Sequence, residues 1–138
     1  MSMTFFASPL TPISWGELID KITILEIKRI NIESTTALAN INKELGYLNE
    51  ILVNSAGVSE LVKDLKIELA YVNKQLWQVE DDIRMKELNQ EFDAIFIDLA
   101  RRVYRLNDER AKVKKIINES LNSELVEEKS YKNFQSDN

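Results

Sequence analysis

No proline interrupts this chain after Pro12. A proline inside a helix removes a backbone hydrogen bond and clashes with the preceding turn, so everything from Ile13 onward is free to be helical. Over the same stretch apolar residues recur in steps of three and four. Leu38, Ile41, Leu45, Leu48 and Leu52 make one such stripe, and Leu61, Leu65, Leu69, Val72, Leu76, Val79 and Ile83 make another. That spacing marks one face of a helix. The chain is therefore expected to be all-α, an antiparallel bundle of about four helices behind an extended N-terminal lead-in. Its 138 residues suit a single domain, and no internal repeat is visible.

The local signals set the boundaries. Pro9 and Pro12 hold residues 1–13 extended, with Phe5 and Phe6 expected to pack on the body. Ser14-Trp15-Gly16-Glu17 reads as a capping box and opens a helix over 14–31. That helix is apolar nearly all round, as in an element sandwiched in a core. Ser34-Thr35-Thr36 can cap a second helix over 35–53. Its stripe is rotated from that of the first, which places a break near residues 32–35. Asn54-Ser55-Ala56-Gly57 reads as a turn, and Ser59 as the N-cap of a third helix over 59–88. The second and third helices are expected to pair as an antiparallel hairpin. A last helix over 91–121 carries Phe92, Ile95, Leu99, Val103, Leu106, Val113, Ile117 and Leu121. A straight helix from Ser59 to Leu121 would be about 90 Å long, so a break is expected near Leu88–Glu91. Residues 122–138 read as a short helical strap, Glu124 to Glu128, followed by a polar tail.

Composition excludes several chemistries. With no cysteine and no histidine, the chain cannot build disulfides, Cys-based zinc sites, Ser-His-Asp triads or histidine metal motifs. Catalysis would have to use carboxylates, Lys, Arg, Tyr, Ser, Thr or backbone groups. No apolar run approaches the roughly 20 residues that span a bilayer. The opening Met1-Ser2-Met3-Thr4-Phe5-Phe6 lacks the charged and apolar regions of a secretory signal. Cytoplasmic residence is expected. A net charge of −5 argues against nucleic-acid and membrane-surface partners.

Four polar groupings stand out. Asn73, Trp77, Glu80, Arg84, Glu87 and Glu91 share one helix face. Glu80, Glu87 and Glu91 are candidate Mg²⁺ ligands, since Mg²⁺ prefers oxygen; the plainer reading is a solvated face with local ion pairs. Arg110 interrupts the apolar stripe between Leu106 and Val113. With Asn107, Lys114 and Arg29 it is a candidate anion-binding set, for which Glu80 or Asp108 would act as acid/base or orienting group. The alternative is a structural salt bridge to an acidic side chain on the first or third helix. The first helix carries Asp20, Lys21, Glu26, Lys28 and Arg29, charges that are costly on a buried element unless paired. Finally, residues 80–98 hold seven acids and two bases, and residues 101–115 hold seven bases and two acids. Such blocks favour antiparallel pairing, within the chain or between two copies. Trp15 and Trp77 are expected as core or interface anchors.

Several blocks together carry a resemblance: Ser14 through Lys28, Leu76-Trp77 with Glu80 through Arg84, Phe92-Asp93 with Leu99-Ala100-Arg101, Val103 through Ala111, and Glu127 through Tyr131. The chain resembles a family of small all-helical bacterial and phage proteins known only as a domain of unknown function. The likeness runs from about Ile13 to Tyr131 and implies no activity. Leu18-Ile19-Asp20-Lys21-Ile22 followed by Arg29 is weakly similar to the opening helix of the all-helical chorismate mutases. In that likeness Arg110 and Lys114 would supply cations to a dicarboxylate, but the rest of the motif does not align. Likeness to helical nucleotide pyrophosphohydrolases is thinner, because their paired acidic spacings are absent.

Nothing here has a catalytic spacing of high specificity. The favoured function is a non-catalytic helical interaction or assembly module that self-associates as a dimer or holds a protein partner, with no cofactor. The alternatives are an enzyme or binding protein for a small phosphorylated or carboxylated anion within the bundle, and a Mg²⁺-dependent hydrolase.

Overall fold

A computed structural model describes residues 3–130. Five helices follow one another: α1 (Trp15–Asn31), α2 (Thr35–Val53), the single turn α3 (Val58–Leu61), α4 (Lys63–Leu88) and α5 (Ala94–Ser120). No strand occurs among the described residues.

α1, α2 and α5 begin where a side chain satisfies one of the free N–H groups of the first turn. Ser14 accepts from the Glu17 amide, Ser34 from the Ala37 amide and Asp93 from the Phe96 amide. The capping box at Ser14 is only half formed, because the Glu17 carboxylate turns away to Lys114. The third helix does not start at Ser59. Gly57, at φ 81°, turns the chain into α3, and a kink at Val62 separates α3 from α4.

The break expected near Leu88–Glu91 is a tight turn over residues 89–93. It is closed by two backbone bonds, from Glu91 N–H to the Lys86 carbonyl and from Gln90 N–H to the Glu87 carbonyl. This double bond pattern is a Schellman cap, and it puts Gln90 at φ 53°. Glycine usually fills that left-handed position, which is why the sequence offered no mark for it. The same cap ends α5, with Asn122 at φ 49°.

Packing departs from the expected connectivity. α2 packs chiefly on α1 instead of forming a hairpin with the helix that follows it, and α4 pairs with α5. The reason lies in α1, which is buried on most sides through Leu18, Ile19, Ile22 and Leu25 and offers α2 a continuous apolar surface. One core joins α1, α2, Val62, Leu69 and the C-terminal half of α5 through Val113 and Ile117. A second core, of Val72, Val79, Leu99 and Leu106 with Leu76, Ile83 and Val103 around it, is built by α4 and α5 alone.

Two expectations for the ends of the chain fail. Phe5 and Phe6 do not pack on the body; they are 85% and 89% exposed. With Pro9 and Pro12 preventing a helix, the lead-in has no amphipathic face to lay down. Glu124 to Glu128 is not helical. After the Asn122 turn it has no regular structure; Ser123 and Glu127 accept hydrogen bonds from Trp15 and Ser14, and Lys129 pairs with Asp108. The polar tail beyond residue 130 lies outside the described residues.

Candidate functional site

The polar centre of the protein lies between α1, α4 and α5. Asp20 projects from α1 into the core, with a side chain only 1% exposed. A carboxylate there is tenable only if its charge is met. Arg110 of α5 meets it in a two-pronged grip, Nε to Oδ1 at 2.9 Å and Nη2 to Oδ2 at 2.5 Å. Asn73 of α4 donates through Nδ2 to Asp20 Oδ1 and to Thr23 Oγ1, both at 2.9 Å. The Thr23 hydroxyl in turn donates to the Asp20 carbonyl. No buried side-chain polar atom among the described residues lacks a partner. The Asp20 hydrogen bond holds the Arg110 guanidinium above its ordinary pKa, against the effect of its burial.

One helical turn along α5, Lys114 extends the network outward. Its ammonium lies 2.8 Å from Glu17 and 3.1 Å from Glu127 of the C-terminal segment, with Asp20 at 3.7 Å. Glu127 also accepts from the Ser14 hydroxyl. Asn118 accepts from the Gly16 amide at 2.7 Å. The first turn of α1, the second half of α5 and the non-helical C-terminal segment are thus locked by charged and polar contacts.

These contacts carry a pH dependence. Burial works to raise the Glu17 pKa, but the Lys114 hydrogen bond and charge outweigh it, leaving Glu17 below its ordinary 4.5. Burial likewise works to lower Lys114, but its bond to Glu17 and the charge of Asp20 outweigh that, leaving it above 10.5. A carboxylate whose pKa is lower folded than unfolded adds stability above its unfolded value. For Glu17 that stability is lost as pH falls below 4.5 and through the lowered value. For Lys114 the contribution is full below 10.5 and is lost as pH rises through the raised value. Melting temperatures of the parent chain should therefore fall on both sides of this window. Lys114→Met should flatten both limbs; equal limbs in parent and variant would show that the lock contributes nothing.

The expected anion-binding residues separate. Arg110 and Asn107 stay together, facing a cleft of about 390 Å³ bounded by α1, α4 and α5. Lys114 is engaged by carboxylates, and Arg29 is exposed in the last turn of α1, lining neither cleft. Asp108 faces a second groove, beside the C-terminal segment, and pairs with Lys129. Glu80 borders the first cleft with Trp77 and Arg84, and pairs with Arg84 at 3.5 Å.

The three carboxylates considered for Mg²⁺ do not converge. Glu91 pairs with Lys86 in the hairpin turn, and Glu87 is exposed. No group of three or more possible metal ligands occurs among the described residues. The Arg110 partner, Asp20, was visible only as one charge among five on α1. Asn118 and Glu127 were missed altogether. Asn118 had a weak signal, an amide beside Ile117 in an apolar stripe, whereas Glu127 was marked only by its place in a block that carries the family resemblance.

Beyond the reach of α1 the α4–α5 hairpin continues as two helices. Its turn carries Leu88 at 75% and Phe92 at 58% exposure, with Met85 and Ile95 also exposed. Phe92 packs edge-on against Phe96, with ring centroids 5.2 Å apart. The opposed charge blocks do not pair off here: Arg101, Arg102 and Arg105 make no ion pair among the described residues.

Residues 10–137 match a family of unknown function (DUF6165). The chain belongs to this family. The match covers nearly the whole chain, so the Asp20–Asn73–Arg110 network, the Lys114 lock and the hairpin all fall within it. No curated protein and no solved structure matches the chain. No helix among the described residues is long and apolar enough to cross a membrane.

Proposed function

We propose that this chain is a non-catalytic helical assembly module that self-associates through its α4–α5 hairpin. One observation carries the reading. The distal core is made by two helices only, and the hairpin end leaves Met85, Leu88, Phe92 and Ile95 in solvent. A helix pair buries one stripe of each helix and needs a further layer to cover the rest. Clustered exposed apolar side chains rimmed by charge are the usual mark of a protein–protein surface. The polar network at the centre supports the same reading, since its ion pairs and hydrogen bonds join α4 and α5 to α1.

Light scattering over a concentration series of the full chain tests this. A dimer mass is expected at high micromolar concentration, shifting to monomer in a Leu88→Glu, Phe92→Glu double variant that keeps its helical circular dichroism. A monomer mass for the parent chain at several hundred micromolar, where contacts weaker than about −5 kcal/mol remain unformed, would remove the proposal.

A further inference from the structure

The cleft beside the Asp20 network is furnished with groups that the fold leaves unused. Only the Nε and Nη2 atoms of Arg110 are bonded to Asp20. Its side chain is 30% exposed, and it lines the cleft, so the outer edge of the guanidinium, with Nη1, is open to a ligand. Asn107, one turn away and half-buried, makes no side-chain hydrogen bond among the described residues. Asn73 spends its amide hydrogens on Asp20 and Thr23, but its Oδ1 accepts nothing. The apolar part of the wall is formed by Ile24 and Ile27 of α1 and by Leu76 and the half-buried Trp77 of α4, with Glu80, Asp81 and Arg84 completing the lining. Few convergent polar groups over an apolar wall, in a volume of about 390 Å³, is the usual make-up of a small-molecule site.

Charge narrows the ligand. Arg110 already shares its cation with Asp20, and Glu80 and Asp81 line the cleft beside Arg84 on α4, where Arg84 pairs with Glu80 and leaves Asp81 uncompensated. A dianion would meet those carboxylates, whereas a planar monocarboxylate matches the flat edge of a guanidinium with two parallel hydrogen bonds. The Trp77 ring offers a face to a flat apolar group.

We propose that this cleft binds a small monocarboxylate bearing a flat apolar body. The carboxylate lies on the outer edge of Arg110 with Asn107 beside it, and the body lies against Trp77. Occupancy leaves the Asp20–Arg110 pair intact and does not depend on the oligomeric state of the chain.

The test is a nuclear magnetic resonance titration of the full chain with 3-phenylpropionate, following the two indole N–H signals and the side-chain amides. Neutral 3-phenylpropionamide and inorganic phosphate serve as comparisons. Saturable shifts are expected at Trp77, Asn107 and Asn73, with Trp15 unmoved. Loss of the carboxylate charge, or of the Asn107 amide in Asn107→Leu, should each weaken binding by about tenfold or more. Asn107→Leu leaves both bonds of the Asp20–Arg110 pair in place, so its fold is kept. Absence of saturation by about 10 mM, a dissociation constant too weak for a specific site, would overturn the proposal. So would equal binding of the neutral amide, tighter binding of phosphate, or equal shifts at Trp15.

Discussion

Arg110→Leu should be among the most destabilising single substitutions in this protein, at about 3–5 kcal/mol, because it strands the Asp20 carboxylate in the core. The Asp20 side chain is 1% exposed and draws both prongs of its charge compensation from Arg110. What remains is one amide hydrogen from Asn73 at 2.9 Å and a Lys114 ammonium 3.7 Å away. Neither replaces a paired guanidinium. At about 2.1 cal/mol/K of unfolding entropy per residue, that loss lowers the melting temperature by roughly 10–17 °C. The double variant Asp20→Asn, Arg110→Leu removes the charge with its partner and keeps an acceptor for Asn73. It should recover at least half of the loss, and the double loss minus the sum of the two single losses is the coupling of the pair. Denaturant melts of parent, both singles and the double give all four corners. Additive losses would mean that Asp20 and Arg110 do not depend on one another.

Gly16→Ala should be the most damaging of the conservative glycine substitutions. A Cβ at Gly16 would sit 2.6 Å from the Lys114 carbonyl oxygen and 3.0 Å from Asn118 Oδ1. The first obstacle is backbone, so it cannot swing aside; α1 and α5 must separate. Overpacking of this kind costs about 1–3 kcal/mol and at times more. It outweighs the roughly 1 kcal/mol that alanine normally gains over glycine in a helix. The separation would also stretch the Gly16–Asn118 hydrogen bond and the Lys114 contacts with Glu17 and Glu127. Gly46 is the built-in control. It lies within α2, and a Cβ there meets nothing within 4 Å. Gly46→Ala should stabilise by about 0.5–1 kcal/mol. Opposite signs for the two variants in parallel thermal melts are expected. A gain at both positions would mean that the close approach of α1 to α5 is not required.

These expectations rest on features of two kinds. Some were legible along the chain. The caps at Ser14 and Ser34, the absence of proline and the three-and-four spacing placed the helices to within a few residues. The rotation of one stripe against the next placed the break before α2, and the length of an unbroken helix placed the one between α4 and α5, which carries no glycine. Such properties are local: a helix start depends on atoms three residues away, and a stripe depends on a period of 3.6.

Other features were decided only by the tertiary structure. Arg110 was recognisable as a cation in need of a partner, but Glu17, Asp20 and Glu26 of α1 and the acids of the third helix competed for it. Asp20 is that partner because its turn of α1 crosses α5, at a separation of 90 residues in sequence. The pairing of α2 with α1, and not with the helix after it, was equally open, since any apolar stripe can face any other. The C-terminal segment was expected to be helical, yet it is not, and its Glu127 is held by Lys114 and Ser14. The sequence by itself determined the elements of this protein, because their causes lie within a turn or two of backbone. Their arrangement, and with it the cleft and the uncovered hairpin, required the whole fold, because its causes are contacts between residues that no spacing rule connects.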